Sequence, residues 1–411
     1  MSLVLKSLSP AYGGYSIARD EKEKVVLIKG AVPGEMVEVE IIENKRDYAT
    51  ARVITVLEPS EQRVDPPCPV FGICGGCHLQ FISYDTQVAM KDEVLLDSLA
   101  RIGGIETGLS PALTDAQWHY RRRAQFKVGR NGDIGFFKEA TREVVTFDSC
   151  PLMNEEINAM FRRIKEGINT TGLSEIHIAC GDQPPGHPVL LLLGRDYTGS
   201  AFEEYLAAGA TGVAYNREIV AGVAGTCFDL NGLSYTVSPW TFFQAHWSLN
   251  RKIVELIVSE LAPLEGKRVL DLYAGAGNFA LPLAGQVGGK SSGEVIAVEE
   301  NPHAVDDGIR NIQTNEIKHC RMVKSSSEKY KPGKKFDIII LDPPRPGLTS
   351  EIVKKILEMP SDIIIYISCN PATFSRDLKK LKEKYDILSV RQVDFFPNTF
   401  HIESIAFLRL R

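Results

Sequence analysis

Four short apolar runs near the C-terminus narrow the choice of folds more than any other feature: RVLDL (268–272), EVIAVE (294–299), DIIIL (337–341) and DIIIYIS (362–368). Each is a near-continuous block of Val, Ile and Leu, which reads as a strand buried on both faces. Helical patterns such as KIVELIVSEL, DDGIRNIQ and EIVKKILEM stand before and between them. Strands that alternate with helices build a parallel, doubly wound α/β sheet. A last helix, SRDLKKLKEKY, leads to two further strands around SVRQVDFF and ESIAFLRLR.

Open parallel sheets bind ligands beyond the carboxyl ends of their strands. The first run is followed by YAGAGN, where glycines let the backbone approach a ligand, and the second ends at Glu299, placed for ribose hydroxyls. The third runs into LDPPRPGL (341–348) and the fourth into SCNPATFSRDL (368–378). That last turn delivers Cys369 to the sheet rim, with a helix behind it for which Thr373 or Ser375 would serve as cap. The GAGN spacing is not the G-x-G-x-x-G of dinucleotide sites. An acidic-Pro-Pro turn is what nucleobase methyltransferases carry, so the three strand ends together point to an S-adenosylmethionine fold.

The acceptor is legible from the same ends. Enzymes that methylate exocyclic amines follow Pro-Pro with an aromatic, and here Arg345 takes that place. Carbon 5 of a pyrimidine is too weak a nucleophile to attack a sulfonium until a thiolate has added at carbon 6. A base must then remove the carbon-5 proton before the thiol departs. FPNTFHIES (396–404) brings His401 and Glu403 to the same cleft. Against this stand two plain readings, a lone cysteine as apolar filler and a glutamate as solvated surface acid.

Taken together, SCNPATFSRDL, LDPPRPGL, VLDLYAGAGNFALPLA and FPNTFHIE resemble the RNA uracil-C5 methyltransferase family over essentially the whole chain. The resemblance implies Cys369 as nucleophile and Glu403 as the base, with Gln244, Tyr273, Asn278, Glu299, Ser326 and Asp342 at the methyl donor. It also implies Phe242 stacking on the flipped uracil, with Arg345 beside it. Two positions depart from the family pattern: His246 stands where Asn is usual, and Asn398 where His is usual. The layout is most similar to the iron–sulfur branch that acts on 23S rRNA; tRNA uridine 54 is the runner-up. Cytosine-C5 methylation and a non-catalytic RNA-binding protein are the rival readings.

Upstream, KVVLIKG, EMVEVEIIE and YATARVITVLE are short strand-like runs separated by Gly/Pro turns, a small β-barrel over residues 1–58. GGYSIARD and AVPGE make it resemble an OB-like TRAM barrel. Residues 59–238 read as a mixed α+β unit opening with the linker EPSEQRVDPP, and 239–411 as the Rossmann-like methyltransferase domain. Residues 83–104 form a helix with an apolar stripe through Val88, Val94, Leu95 and Leu99. The chain carries 8 Cys and no signal or membrane-length apolar segment, so a cytoplasmic location with thiols used for metal or catalysis is expected. Cys68, Cys74 and Cys77 follow C-x5-C-x2-C, and Cys150 is the distant fourth; the set suits tetrahedral zinc or an iron–sulfur cluster. The family branch implies a 4Fe–4S cluster there. A formal net charge of −5 leaves RNA contact to local patches. WHYRRRAQFKVGR (118–130) is one: Arg121, Arg122, Arg123 and Gln125, interleaved with Trp118, Tyr120 and Phe126, are expected to meet phosphates and unpaired bases. A monomer is the default for such a chain.

Overall fold

A computed structural model describes residues 2–183, 188–223, 225–288 and 293–411. Six strands open the chain: β1 (Ser2–Lys6), β2 (Ser9–Ala11), β3 (Tyr15–Arg19), β4 (Val25–Lys29), β5 (Met36–Asn44) and β6 (Tyr48–Glu58). They form one sheet in the order β1-β5-β6-β4-β3-β2, and their alternate residues, Val26, Ile28, Val37 and Val39 among them, enclose a core of their own. Period-2 patterning is enough to specify this unit.

After the linker come helix α1 (Tyr84–Ser98), extended by a π turn at Leu99–Gly103, and strand β7 (Ser110–Leu113). A second sheet follows, from β8 (Arg123–Val128), β9 (Ile134–Phe137), β10 (Val144–Val145), β11 (Leu173–Ala179), β12 (Val189–Gly194), β13 (Gly212–Tyr215) and β14 (Glu218–Gly222). Its order is β10-β9-β8-β11-β12-β13-β14, with α2 (Glu155–Gly167) and α3 (Phe202–Ala207) contributing Phe161 and Tyr205 to its core. The hairpin of β15 (Thr226–Leu230) and β16 (Leu233–Val237) leads to α4 (Trp247–Leu261).

The remaining elements are β17 (Arg268–Leu272), α5 (Ala280–Val287), β18 (Glu294–Glu299), α6 (Pro302–Thr314), β19 (Cys320–Lys324) and β20 (Ile338–Leu341). Then come α7 (Ser350–Glu358), β21 (Ile363–Ser368), α8 (Pro371–Leu381), β22 (Tyr385–Val393) and β23 (Glu403–Leu410). The third sheet runs β19-β18-β17-β20-β21-β23-β22-β7. Strands β17 to β21 are parallel, and β23 is antiparallel to both of its neighbours, β21 and β22. Both faces are covered: Val269, Ile340 and Ile365 belong to one core, and Leu270, Ile339 and Ile364 to the other. The topological switch lies between β17 and β20, which sets the ligand crevice at their carboxyl ends. Among the described residues, no helix is long and apolar enough to cross a membrane.

The sequence assigns α1 and β7 to the central unit, yet both pack on the catalytic sheet. Strand β7 pairs in parallel with β22, and Leu95 and Leu99 join the core over β17 and β21. The buried face of α1 also includes Gln87 and Lys91, which no apolar stripe foretells. Lys91 Nζ donates to Asp394 Oδ1 at 2.7 Å and to the Phe396 carbonyl at 3.1 Å, both side chains of the pair being fully enclosed. Removing one member of such a pair strands a buried charge. Lys91→Met is therefore expected to lower the unfolding free energy by about 3–5 kcal/mol. Denaturant titration of the variant checks this; an unmoved midpoint would show that the pair is dispensable.

Candidate active site

The four strand ends meet round one cavity of about 720 Å³. Its walls include Phe242, Gln244, Tyr273, Glu299, Asp342 and Arg345, together with Cys369 and Glu403. The last two are neighbours by register. Ser368 faces Ser404 across the antiparallel β21–β23 pair, so Cys369 and Glu403 occupy the next rung at the rim. Opposed residues of such a pair project to the same side. Apolar filler does not describe Cys369, because it is half-buried and opens on this cavity.

Helix α8 starts at Pro371, and its cap is Asn370, whose side chain accepts from the Ala372 and Thr373 amides at 3.0 and 3.4 Å. The sequence expectation of Thr373 or Ser375 fails because Pro371 supplies a helix-ready φ one residue after an Asx acceptor. The Thr373 hydroxyl instead donates to the Arg345 carbonyl at 3.2 Å, and that of Ser375 to the Pro371 carbonyl at 2.8 Å. Buried Asp377 of α8 ties the two catalytic turns together. Its Oδ2 accepts from the Leu348 amide and the Tyr366 hydroxyl, both at 2.8 Å. Gly347 lies so close, at φ +77°, that a Cβ there would meet this oxygen at 2.5 Å.

The site is acidic, and its carboxyls are buried. Burial, then the neighbouring Asp342 carboxyl, pushes Glu403 up to about 8, despite the opposing Arg345 guanidinium. Burial alone pushes Asp342 up to about 7, and burial with the Asp342 carboxyl holds Asp271 behind it well above its ordinary value. Cys369 is raised to about 11 by burial and by the Glu403 and Asp342 carboxyls, with Arg345 pulling the other way. His401 stands against Arg345, Nδ1 to Nη2 3.5 Å, and burial with that cation drops it to about 4. It is a neutral imidazole.

At the donor end, Glu299 is oriented by three backbone amides. Its Oε2 accepts from Gly275 at 2.9 Å, and its Oε1 from Glu300 and Asn301 at 2.9 and 2.7 Å. Gly275 at φ +55° and Gly277 at φ +92° shape the loop that makes this approach. Phe242 and Gln244 sit on a segment anchored by Asp307 of α6, whose Oδ2 accepts from the Ser238 amide at 2.8 Å and the Thr241 hydroxyl at 2.5 Å. Two of the six residues implied at the donor are not on the wall of this cavity. Asn278 is in a reciprocal amide pair with Asn250, at 2.7 and 3.0 Å, and is not on the cavity wall. Ser326 is also off the wall; its neighbours Ser327 and Glu328 line it.

His246 is a structural residue. It is fully buried, stacks on Tyr120 at 4.5 Å, and its Nε2 meets the Ala116 carbonyl at 2.9 Å. Asn398, at φ +65°, holds its loop to the rest of the molecule. Its carbonyl accepts from the His78 and Leu79 amides at 3.0 and 3.1 Å, and its side chain bonds Gln87 of α1 and the Gln117 carbonyl. An Asn tolerates this left-handed backbone better than most residues.

A second cavity, of about 580 Å³, adjoins the first through shared walls at Phe242, Arg345 and Phe396. Cys68, Cys74, Cys77 and Cys150 line it with Arg121, Arg123, Gln125 and Lys127. The basic run needs correction in its aromatic half. Tyr120 and Phe126 are core residues: Phe126 lies on the covered face of β8, an inner strand of its sheet, and Tyr120, ahead of β8, stacks on His246 and donates its hydroxyl to the Pro397 carbonyl. Arg122 donates to the Gly181 carbonyl at 2.7 Å, and Arg123 lies over the Phe242 ring at 5.6 Å. The exposed ring is Phe242, 64% accessible between the two cavities. Among the described residues no three His, Cys, Asp or Glu side chains are grouped to hold a metal ion. The four thiols nonetheless share a wall. Burial raises Cys77 to about 12 and Cys150 to about 11, with neighbouring cysteines adding to each shift.

Comparison with known proteins agrees with this geometry. The profile of the tRNA (uracil-5-)-methyltransferase family matches residues 228–411, and that of the TRAM domain matches 6–54. The chain is 34% identical to a 23S rRNA (uracil(1939)-C(5))-methyltransferase of Methylococcus capsulatus, over 96% of this chain and 94% of that one. It is 32% identical to an uncharacterized RNA methyltransferase of Aquifex aeolicus, over 97% and 96% of the two chains. The crystal structure of a Pyrococcus abyssi tRNA (uracil-54, C5)-methyltransferase superposes with a TM-score of 0.77 at 24% identity, covering 99% of this chain and all of the other, which shows a common fold.

Proposed function

Because the chain belongs to the S-adenosylmethionine-dependent RNA uracil-C5 methyltransferase family, we propose that it methylates one uridine of folded 23S rRNA, with Cys369 as nucleophile and Glu403 as base. The observation that carries the residue roles is their adjacency on one rung of the sheet, both facing one cavity. The rRNA target is favoured by the match to the Methylococcus capsulatus enzyme, which extends through the four-cysteine unit.

The uracil must leave its stack to reach Cys369, and the exposed ring of Phe242 offers it a stacking surface at the cavity edge. The Cys369 thiol passes its proton to solvent through the open cavity as its sulfur bonds carbon 6, and the Arg345 guanidinium favours the thiolate. The carbon 5–carbon 6 electron pair shifts, with charge on the ring's oxygen, and carbon 5 becomes nucleophilic. S-Adenosylmethionine, when bound, supplies the methyl group as an electrophile on a sulfonium sulfur. Glu403 then takes the carbon-5 proton; those electrons restore the double bond and expel the Cys369 thiolate. Glu299, already set by three amides, is the group to hold the ribose hydroxyls of the donor.

The reading also assigns Cys68, Cys74, Cys77 and Cys150 to a 4Fe–4S cluster. Its support is a shared cavity wall of four soft donors whose buried thiolates need a cationic partner. Such a group stiffens the cysteine segment; no step of methyl transfer passes through it. Anaerobically prepared protein is expected to carry about four iron and four sulfide per chain, and Cys77→Ser to carry neither. Zinc without sulfide would replace the cluster reading with a single-ion site.

Substrate choice is tested with radiolabelled donor on rRNA and tRNA from cells lacking the enzyme, followed by mass mapping. Label at a single 23S uridine is the expected result. Label confined to tRNA overturns the rRNA assignment and leaves the chemistry standing.

A further inference from the structure

The first sheet packs against the loop that carries His401, a wall of the catalytic pocket. Its β2–β3 turn, Tyr12-Gly13-Gly14, has both glycines left-handed, at φ +95° and +78°. Gly14 presses on two other parts of the molecule: a Cβ there would stand 3.2 Å from the His78 Cβ and 3.5 Å from the Phe400 Cβ. The Tyr12 ring meets Phe400 edge-on at 5.6 Å, and Phe400 in turn packs at 4.4 Å on His401, a wall of the pocket. Phe400 is thus where the barrel, the cysteine segment and the catalytic loop converge. Tyr12 is not consumed by this packing, since 43% of it remains accessible.

Resting on the function proposed above, we infer that Tyr12 is a substrate-contacting residue at the mouth of the pocket, its hydroxyl donating to the phosphate of the nucleotide whose base enters toward Cys369. Arg345, at the same mouth, supplies the cation that draws a phosphate there. Burial raises the Tyr12 hydroxyl, with the Arg345 guanidinium pulling the other way, so the group stays protonated and is a donor. A turn that only tethered RNA at a distance would need neither this proximity nor two consecutive left-handed glycines to reach Phe400. The barrel therefore takes part in setting the reacting nucleotide as well as in gripping RNA.

The experiment uses the full chain and an RNA hairpin bearing 5-fluorouridine at the target, where fluorine in place of the proton traps the covalent adduct. The adduct-forming rate at saturating RNA and the RNA dissociation constant are measured for wild type, Tyr12→Phe and Tyr12→Ala. Tyr12→Phe is expected to slow adduct formation about 10-fold, the effect of one hydrogen bond to a charged group, and Tyr12→Ala more than that. Donor affinity stays unchanged in both. A rate equal to wild type in both variants overturns the inference. So does a loss confined to the dissociation constant, which would make the turn a remote tether. If wild-type protein itself forms no adduct, the proposed function fails, an outcome the variants do not imitate.

Discussion

Cys369→Ala is expected to remove methylation, with kcat falling on the order of 10⁴-fold or more, as when a covalent nucleophile is deleted elsewhere. The cause is chemical. Carbon 5 of an unactivated uracil does not attack a sulfonium, and the pocket holds no other thiol: Cys369 is the single cysteine on its wall. Donor binding should persist, because Glu299 and its three amides lie on different strand ends. Isothermal titration with the donor, run beside a radiolabel assay, checks both halves. Residual turnover within tenfold of wild type would mean that the sulfur at the sheet rim is not the nucleophile.

Glu403→Gln is expected to slow turnover by about 10²- to 10⁴-fold, the range for loss of a positioned base, while leaving addition and methyl transfer in place. Protein cross-linked to methylated RNA should accumulate, visible as a retarded band in denaturing gels. The pH dependence follows from the raised carboxyl. Glu403 accepts a proton only as the carboxylate, and its value near 8 means that it is mostly protonated at neutrality. Product release should therefore rise about tenfold per pH unit below 8 and level off above it. In Glu403→Gln that limb should vanish. A wild-type profile flat from pH 6 to 9 would count against Glu403 as the base.

The catalytic strands were readable because runs such as Ile338–Leu341 are buried on both faces, and a fully buried strand must be apolar throughout. Cys369 and Glu403 stood out because the proposed reaction requires a thiol and an acid at strand ends. What stayed hidden was polar and long-range. Lys91 and Gln87 look like the solvated side of a helix, and only the fold shows Asp394 and Asn398 opposite them. Tyr120 and Phe126 look like stacking surfaces in WHYRRRAQF, but Phe126 is covered on the inner strand β8 and Tyr120 is packed against His246. Asn278 and Ser326 followed from motif matching, which fixes the loop and not which side chain of it faces the cavity. His246 and Asn398 departed from the pattern without touching the chemistry, because each is used for packing or backbone geometry.

The pairing of Ser110 with Arg391 gives the catalytic unit a split genetic address. During synthesis β7 emerges long before the strand it must lie beside, so its edge waits unpaired until β22 has been made. A fragment cut at residue 239 would lack that outer strand together with the lysine that neutralises Asp394. The sheet is thus complete only when segments made far apart in time close on each other.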